Sequence, residues 1–171
     1  SNKNNNLSRF ISTLKNIKIN SYFDLHKWSV EYKNDFWKEI WKFTKIIGEL
    51  KGKVYLHNKE FIKCKFFEDS KINYTENCLS KNNETDAIIF YSENNLRKSI
   101  TWKQLRAKVF KLSYFLKNNN VYKYDRIAAV LPNLPEAVVS FLATSQIGAI
   151  WTSCSSDFGA KAIIDRFKQI E

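Results

Sequence analysis

The chain has 171 residues, 44% of them hydrophobic, so it is long and apolar enough to fold around a core. Its formal net charge of +11 raises the possibility of a nucleic-acid or membrane surface. Most of the basic residues are scattered lysines, however, whereas phosphate-binding surfaces cluster their charges and favour arginine. We therefore expect a solvated surface, with no nucleic acid and no membrane as partner. No apolar run approaches the roughly 20 residues of a membrane helix.

The three cysteines, Cys64, Cys78 and Cys154, are far apart and form no C-x-x-C pair. An odd number at such spacing predicts neither a disulfide framework nor a zinc site, and we expect no metal ligands. The pattern is typical of a reducing compartment, which favours a cytoplasmic location. Nothing in the sequence indicates an oligomeric state.

The N-terminal part is predicted to be largely helical. Residues 1–6 are rich in Asn and are expected to be disordered, because they have little to bury. Apolar residues at helical spacing then predict three helices: Leu7 to Ile17, Tyr22 to Glu31 and Asp35 to Ile47. Ser21 and Asn34 are placed to cap the second and third helices, and Gly48 is placed to end the third.

The third predicted helix carries two apolar stripes, one formed by Phe36, Ile40, Phe43 and Ile47 and the other by Trp37 and Trp41. Two stripes indicate a helix packed between two surfaces. The segment that follows has no sustained periodicity, and we expect short strands or coil at residues 53–56 and 61–67 and one helical turn at 74–79. Residues 7–83 are thus interpreted as a helical and extended arm.

From residue 84 onward the pattern becomes that of an α/β domain. Two strands, Ala87 to Tyr91 and Lys98 to Thr101, are predicted to form a hairpin. Thr101, with Gln104 three residues later, predicts a capping box for a long helix that ends at Asn118 to Asn120.

A strand–helix–strand unit follows. Ile127 to Leu131 reads as a strand buried on both faces, a helix begins near Pro135 and ends at Gly148, and Ala149 to Ser153 reads as a second strand. So short a crossover predicts two parallel strands. The fold class is therefore α/β, with the first βαβ units of an incomplete sheet.

The turn after the second strand is the best candidate for a binding site. Ser155, Ser156, Asp157 and Phe158 precede a predicted helix, Phe158 to Ile170, at a position where open α/β sheets bind polar or phosphate-bearing ligands. Asp157 can also be read simply as the N-cap of that helix, and local physics favours this reading. Capping does not exclude a backbone contact with a ligand.

Motifs that would carry catalysis are missing from the sequence. It contains no G-x-S-x-G, H-E-x-x-H or G-x-x-x-x-G-K-[ST], and its four glycines are too few for a glycine-rich phosphate loop. We predict no catalytic residue among these 171. Position alone leaves open whether Arg166 is a surface charge or an ion-pair partner of Asp165 or Glu171.

Three ordered blocks resemble the acetyl-CoA and acetoacetyl-CoA synthetase branch of the adenylate-forming enzymes. The blocks are LHKWSVEYKNDFWKEIWKF from Leu25, FFEDSKINYTENCLS from Phe66 and RIAAVLPNLPEAVVSFLATSQIGAIWTSCSSDFG from Arg126. Acetyl-CoA synthetases usually carry Phe-Gly-Gly-Phe-Ser after the last strand, where this chain has Ser-Ser-Asp-Phe-Gly. That loop, the W-S-V-E segment and the closing R-F-x-Q-I-E are similar to acetoacetyl-CoA synthetases, so the resemblance favours acetoacetate over acetate.

The resemblance implies a ligase that forms an acyl-adenylate from ATP and acetoacetate, with Mg²⁺, and then transfers the acyl group to CoA. It places the loop of Ser155, Ser156, Asp157 and Phe158 beside the CoA nucleotide. Asp157 stands where acetyl-CoA synthetases have a Gly, so a backbone contact from Ser156 or Phe158 is favoured. Residues 84–171 would be the first part of the AMP-dependent synthetase/ligase domain.

The resemblance also implies that the phosphate loop, the ATP-ribose carboxylate, the hinge and the catalytic Lys lie beyond Glu171. We therefore expect the chain, which lacks an initiating Met, to be the N-terminal part of a longer enzyme and inactive alone. Two alternatives remain open. One is part of an acetyl- or propionyl-CoA synthetase, and the other is a non-catalytic interaction module of the same fold.

Overall fold

The computed structural model describes residues 5–15, 17–94 and 96–170. The chain divides into two compact units between Ile72 and Asn73, earlier than the boundary at residues 83 and 84 that the sequence suggested. The short helix that follows Asn73 explains the difference, because the buried Thr75 donates its hydroxyl to the carbonyl of Leu142 at 2.7 Å. These residues therefore belong to the C-terminal unit.

The N-terminal unit contains three helices, α1 (Asn6–Thr13), α2 (Tyr22–Glu31) and α3 (Lys33–Thr44). Their buried side chains form one small core of Phe10, Leu14, Leu25 and Trp28. The predicted cap of α2 by Ser21 is confirmed and extends to a capping box, since Ser21 and Asp24 each accept a hydrogen bond from the other residue's backbone N–H.

The ends of α1 and α3 differ from the predictions. Residues 1–4 lie outside the described part, but Asn5 caps α1 and Asn6 begins it, so the expectation of disorder is wrong for these two residues. The third helix, α3, ends at Thr44, and its C-cap Lys45 adopts the left-handed conformation with φ of 55°. Asn34 lies inside α3 and accepts a hydrogen bond from the Tyr55 N–H instead of capping the helix.

Short antiparallel strands follow α3. The pairs are β1 (Gly48–Glu49) with β4 (Lys71–Ile72) and β2 (Tyr55–Leu56) with β3 (Lys65–Phe66), and a 3₁₀ turn covers Phe61–Lys63. The second stripe of α3 packs on this segment, with ring centroids 5.5 Å apart for Trp37 and Phe66 and 5.1 Å apart for Trp41 and Phe67. The prediction of a helix between two surfaces is thus confirmed.

The C-terminal unit begins with α4 (Tyr74–Cys78) and the hairpin of β5 (Asp86–Tyr91) and β6 (Arg97–Thr101). The long helix α5 (Trp102–Asn118) starts at the predicted capping box of Thr101 and Gln104. It ends as predicted at an asparagine in the left-handed region, Asn120 with φ of 62°.

The core of this unit lies between α5 and α6 (Pro135–Gln146). It contains Leu79, Leu105, Val109, Val139, Leu142 and Ala143, all nearly inaccessible to solvent. The buried positions of each helix, Leu105 and Val109 on α5 and Val139, Leu142 and Ala143 on α6, are three or four residues apart or adjacent and so lie on one face.

The two remaining strands, β7 (Arg126–Val130) and β8 (Ile150–Cys154), pair in parallel around α6, as predicted. Gly148, with φ of 77°, makes the tight turn between α6 and β8. The prediction that β7 is buried on both faces is wrong. Ala128 and Val130 are exposed on one face of the strand, and Val130 is 42% exposed. Within the described residues only one face of this sheet is covered.

The last elements of the described residues are α7 (Ala160–Phe167) and a 3₁₀ turn at Lys168–Ile170. None of the helices in the described ranges is both long and apolar enough to cross a membrane.

Candidate functional site

The candidate site lies where β7 and β8 end side by side. The ladder pairs Arg126 with Ile150 and continues to Val130 with Cys154, so both carboxyl ends lie at one edge of the sheet. The Leu131 N–H donates to the carbonyl of Cys154 at 3.0 Å, and this hydrogen bond holds the ends of the two strands together just before the loops that follow them. The parallel pairing therefore presents the loops after both strands at the same edge.

The loop after β8 is held by a hydrogen bond between its own side chains. The Ser155 hydroxyl donates to Asp157 Oδ2 at 2.9 Å, and the Asp157 N–H donates back to Ser155 Oγ at 3.4 Å. The side chain of Asp157 is thus turned toward Ser155. Prediction of Asp157 as the helix N-cap is wrong, since the helix begins at Ala160.

Gly159 occupies the N-cap position of α7 and, having no side chain, offers no cap to the first turn. The first intrahelical hydrogen bond runs from the Ile163 N–H to the Gly159 carbonyl at 3.2 Å. A Cβ built on Gly159 would meet nothing within 4 Å, so the neighbouring atoms leave space open. The start of α7 is therefore exposed and lacks a side-chain acceptor.

Phe158 and Arg166 form the main contact between the loop and α7. The Arg166 guanidinium carbon lies 4.5 Å from the centroid of the Phe158 ring, and the ring is 40% exposed. Helical side chains lean toward the N-terminus of their helix, which lets a long Arg in the last turn reach back to the start. The stacking fixes Phe158 at the surface of the loop.

A groove of about 500 Å³ lies next to the loop that follows β7. One wall is formed by residues Ile88 to Glu93 of the hairpin and the other by Pro132 to Pro135 together with Val138. The groove is open and mixed in polarity, which suits a ligand that passes along the sheet edge.

This arrangement presents a hydroxyl, a carboxylate and exposed loop residues at the end of the strand. The Ser155 hydroxyl is hydrogen-bonded to a carboxylate, without the imidazole that usually activates a serine. Across residues 5–15, 17–94 and 96–170, no three His, Cys, Asp or Glu side chains come together in a way that could hold a metal ion.

The structure brings the four sequence-predicted site residues onto one exposed loop. Ser155 and Asp157 contact each other, Ser156 is exposed, and Phe158 contacts Arg166. The sequence offered Asp165 and Glu171 as partners for Arg166; no ion pair with Asp165 is found among the described residues, Glu171 lies outside them, and the aromatic partner Phe158 was missed. The available signal was an aromatic residue just before a helix with an Arg two turns inside it.

Comparison with known proteins gives a consistent result. Residues 75–171 match a family model described as AMP-binding enzyme. An acetoacetyl-coenzyme A synthetase from Rhizobium meliloti (strain 1021) is 40% identical over 149 residues, which are 87% of this chain and 23% of that protein.

Two solved structures are similar to different extents. The acetoacetyl-CoA synthetase from Streptomyces lividans matches 99% of this chain and 27% of its own, with 30% identity and a TM-score of 0.86. An acyl-CoA synthetase from Brucella canis matches only 57% of this chain and 18% of its own, with 29% identity and a TM-score of 0.53. The chain thus spans about a quarter of the length of the acetoacetyl-CoA synthetases that it matches.

Proposed function

The chain belongs to the AMP-binding enzyme family, and from that premise we propose that it forms the N-terminal quarter of an acetoacetyl-CoA synthetase. The observation that carries the proposal is the extent of the likeness to the Streptomyces lividans enzyme, which covers 99% of the chain. The family model begins only at residue 75 and does not include the N-terminal unit. That unit therefore supports the acetoacetate branch over adenylate-forming enzymes in general.

The proposed reaction has two steps. The carboxylate of acetoacetate attacks the α-phosphate of ATP, giving an acyl-adenylate and releasing pyrophosphate. The sulfur of CoA then attacks the acyl carbonyl, and AMP leaves with the electron pair of the broken acyl–phosphate bond. The residues of this chain contribute binding and scaffolding, and the groups that perform the chemistry are assigned to the remainder of the longer protein.

We assign the loop of Ser155, Ser156, Asp157 and Phe158 to the path of the CoA nucleotide. Its position at the carboxyl end of β8 supports this, since ligands of open α/β sheets bind there. Because the Asp157 carboxylate accepts from Ser155, it is held within the loop, and the exposed backbone near Ser156 and Phe158 is the surface offered to a ligand.

The proposal also covers the accompanying groups and the location. ATP and CoA are substrates, and Mg²⁺ enters with ATP. The described residues supply no cluster of ligands for the ion, so we assign its contacts to ATP and to the rest of the longer protein. A cytoplasmic location is supported by the three cysteines, which are all free thiols.

The experiment is an exchange assay on a longer protein that contains these residues and the remainder found in the relatives. Labelled pyrophosphate should be incorporated into ATP when acetoacetate is added, and much less when acetate or propionate replaces it. Exchange driven mainly by acetate or propionate would identify the related ligase instead. A folded protein that shows no exchange with any of the three acids would favour the non-catalytic interaction module.

A further inference from the structure

Arg166 is placed to do more than pack against the loop. Its guanidinium carbon lies 4.5 Å from the centroid of the Phe158 ring, and both residues are exposed. A cation–π contact with the ring does not use up the five N–H donors of the guanidinium. Within the described residues, no hydrogen bond or ion pair occupies those donors.

The charge of the loop gives Arg166 a further role. Asp157 precedes Phe158 directly, so an anionic ligand near the loop would meet a negative charge. Arg166 brings a cation to this loop through its contact with Phe158. It carries five donors in a fork that matches the oxygens of a phosphate group.

We propose that Arg166 binds a phosphate group of the CoA nucleotide, with Phe158 as the platform that holds the guanidinium in place. This inference rests on the proposed function, because it takes the loop to lie beside CoA. Stacking reduces the conformational freedom that a long side chain would lose on binding. Arg166 is accordingly a substrate-binding residue for the thiol step and has no part in adenylate formation.

Three variants of the longer protein test the proposal. Arg166→Gln removes the charge and the fork, Arg166→Lys keeps the charge without the fork, and Lys168→Gln removes another exposed charge two residues further along the chain. Each variant is measured for acetoacetate-dependent pyrophosphate exchange, for the KM of CoA, and for calorimetric binding of adenosine 3′,5′-bisphosphate, which has CoA nucleotide phosphates but no thiol.

A charge-assisted bidentate contact predicts a rise of about tenfold in the KM for CoA and in the Kd of the bisphosphate for Arg166→Gln. Arg166→Lys should lie between this variant and the unchanged protein, and Lys168→Gln should match the unchanged protein. Exchange without CoA should be the same in all of them, whereas a purely structural Arg166 would lower exchange as well.

The proposal is overturned if Arg166→Gln leaves both the KM and the Kd unchanged, or if Lys168→Gln weakens binding equally. Parallel loss of exchange and binding in both Arg166 variants would also overturn it, because the residue would then be structural. If the unchanged protein shows no exchange, the proposed function fails. The bisphosphate Kd of Arg166→Gln against the unchanged protein still decides whether Arg166 binds phosphate.

Discussion

Helices α5 and α7 both follow a β-strand, yet they begin in different ways. The first turn of α5 is capped by Thr101, whose hydroxyl oxygen accepts from the Gln104 N–H at 3.2 Å, and Gln104 accepts from the Thr101 N–H at 3.0 Å. The first turn of α7 begins at Gly159 and has no side-chain acceptor. Side-chain caps therefore stabilise the start of α5, whereas the first backbone N–H groups of α7, beside the candidate loop, have no side-chain acceptor.

The two helices also differ in how deeply their side chains are buried. Residues of α5 pack in a core where Val109 is completely buried, and Leu105 is 3% exposed. In α7 no described residue is buried, and Phe158 and Arg166 meet at the surface. The two helices of one unit thus differ both in side-chain capping and in burial.

Among substitutions at the starts of α5 and α7, we expect Thr101→Ala to change the free energy of unfolding most. It removes the acceptor of the Gln104 N–H, and loss of such a cap costs about 1 kcal/mol of unfolding free energy. Urea denaturation should show the loss, and Thr101→Ser, which keeps the hydroxyl, should retain most of the stability. Equal losses in both variants would show that the cap is not responsible.

A smaller effect in the opposite direction is expected from Gly159→Ser. The backbone of Gly159 has φ of −65° and ψ of 156°, which any residue can adopt, and a Cβ has free space. A serine hydroxyl there can accept from the first turn and should stabilise α7 by a few tenths of a kcal/mol. Amide hydrogen exchange of Ala160 to Ala162 should slow by about twofold. Gly159→Ala adds a Cβ without an acceptor and should give no such protection.

The smallest effect concerns Glu84, which accepts from Lys103 Nζ at 2.7 Å and from the Thr101 hydroxyl at 3.3 Å at the start of α5. The hydrogen bond from Lys103 is the main cause that lowers the pKa of Glu84 below its ordinary value of 4.5. A pKa lowered by folding stabilises the protein at pH above 4.5, and this contribution disappears as the pH falls through the lowered value. Both side chains are exposed, so salt should weaken the effect.

The measurement is the difference in urea midpoint between pH 7 and pH 3. This difference should be slightly smaller in Glu84→Gln than in the unchanged chain, while Glu93→Gln serves as the control for the loss of one exposed carboxylate. Identical differences in all three proteins would show that the Glu84 pair does not contribute to the start of α5.

The comparison of α5 and α7 also shows what sequence reasoning can reach. The start of α5 is encoded locally by Thr101 and Gln104, so it was predicted. The start of α7 was misplaced, because Asp157 is an excellent cap by type but its carboxylate is taken by Ser155. The Ser155 hydroxyl and the N–H groups of the first turn compete as donors for the same carboxylate, and which donor wins depends on the loop geometry and cannot be read from residue types.

The same limit applies to the end of α3 and to β7. Gly48 looked like the stop signal, yet Lys45 takes the left-handed conformation three residues earlier. An apolar run like that of β7 is typical of a strand covered on both sides, whereas Val130 is 42% exposed. Burial of a strand depends on what packs over it, and this information lies outside the strand itself. The strand before the candidate loop was predicted because a strand end is a local feature, and the role of that loop in binding stays a prediction.

Product analysis of the longer protein with ATP, CoA and acetoacetate tests the proposed ligase reaction. We expect acetoacetyl-CoA and AMP in equal amounts, with pyrophosphate as the other product. Formation of ADP and phosphate in place of AMP and pyrophosphate, or ATP turnover without a CoA thioester, would contradict it.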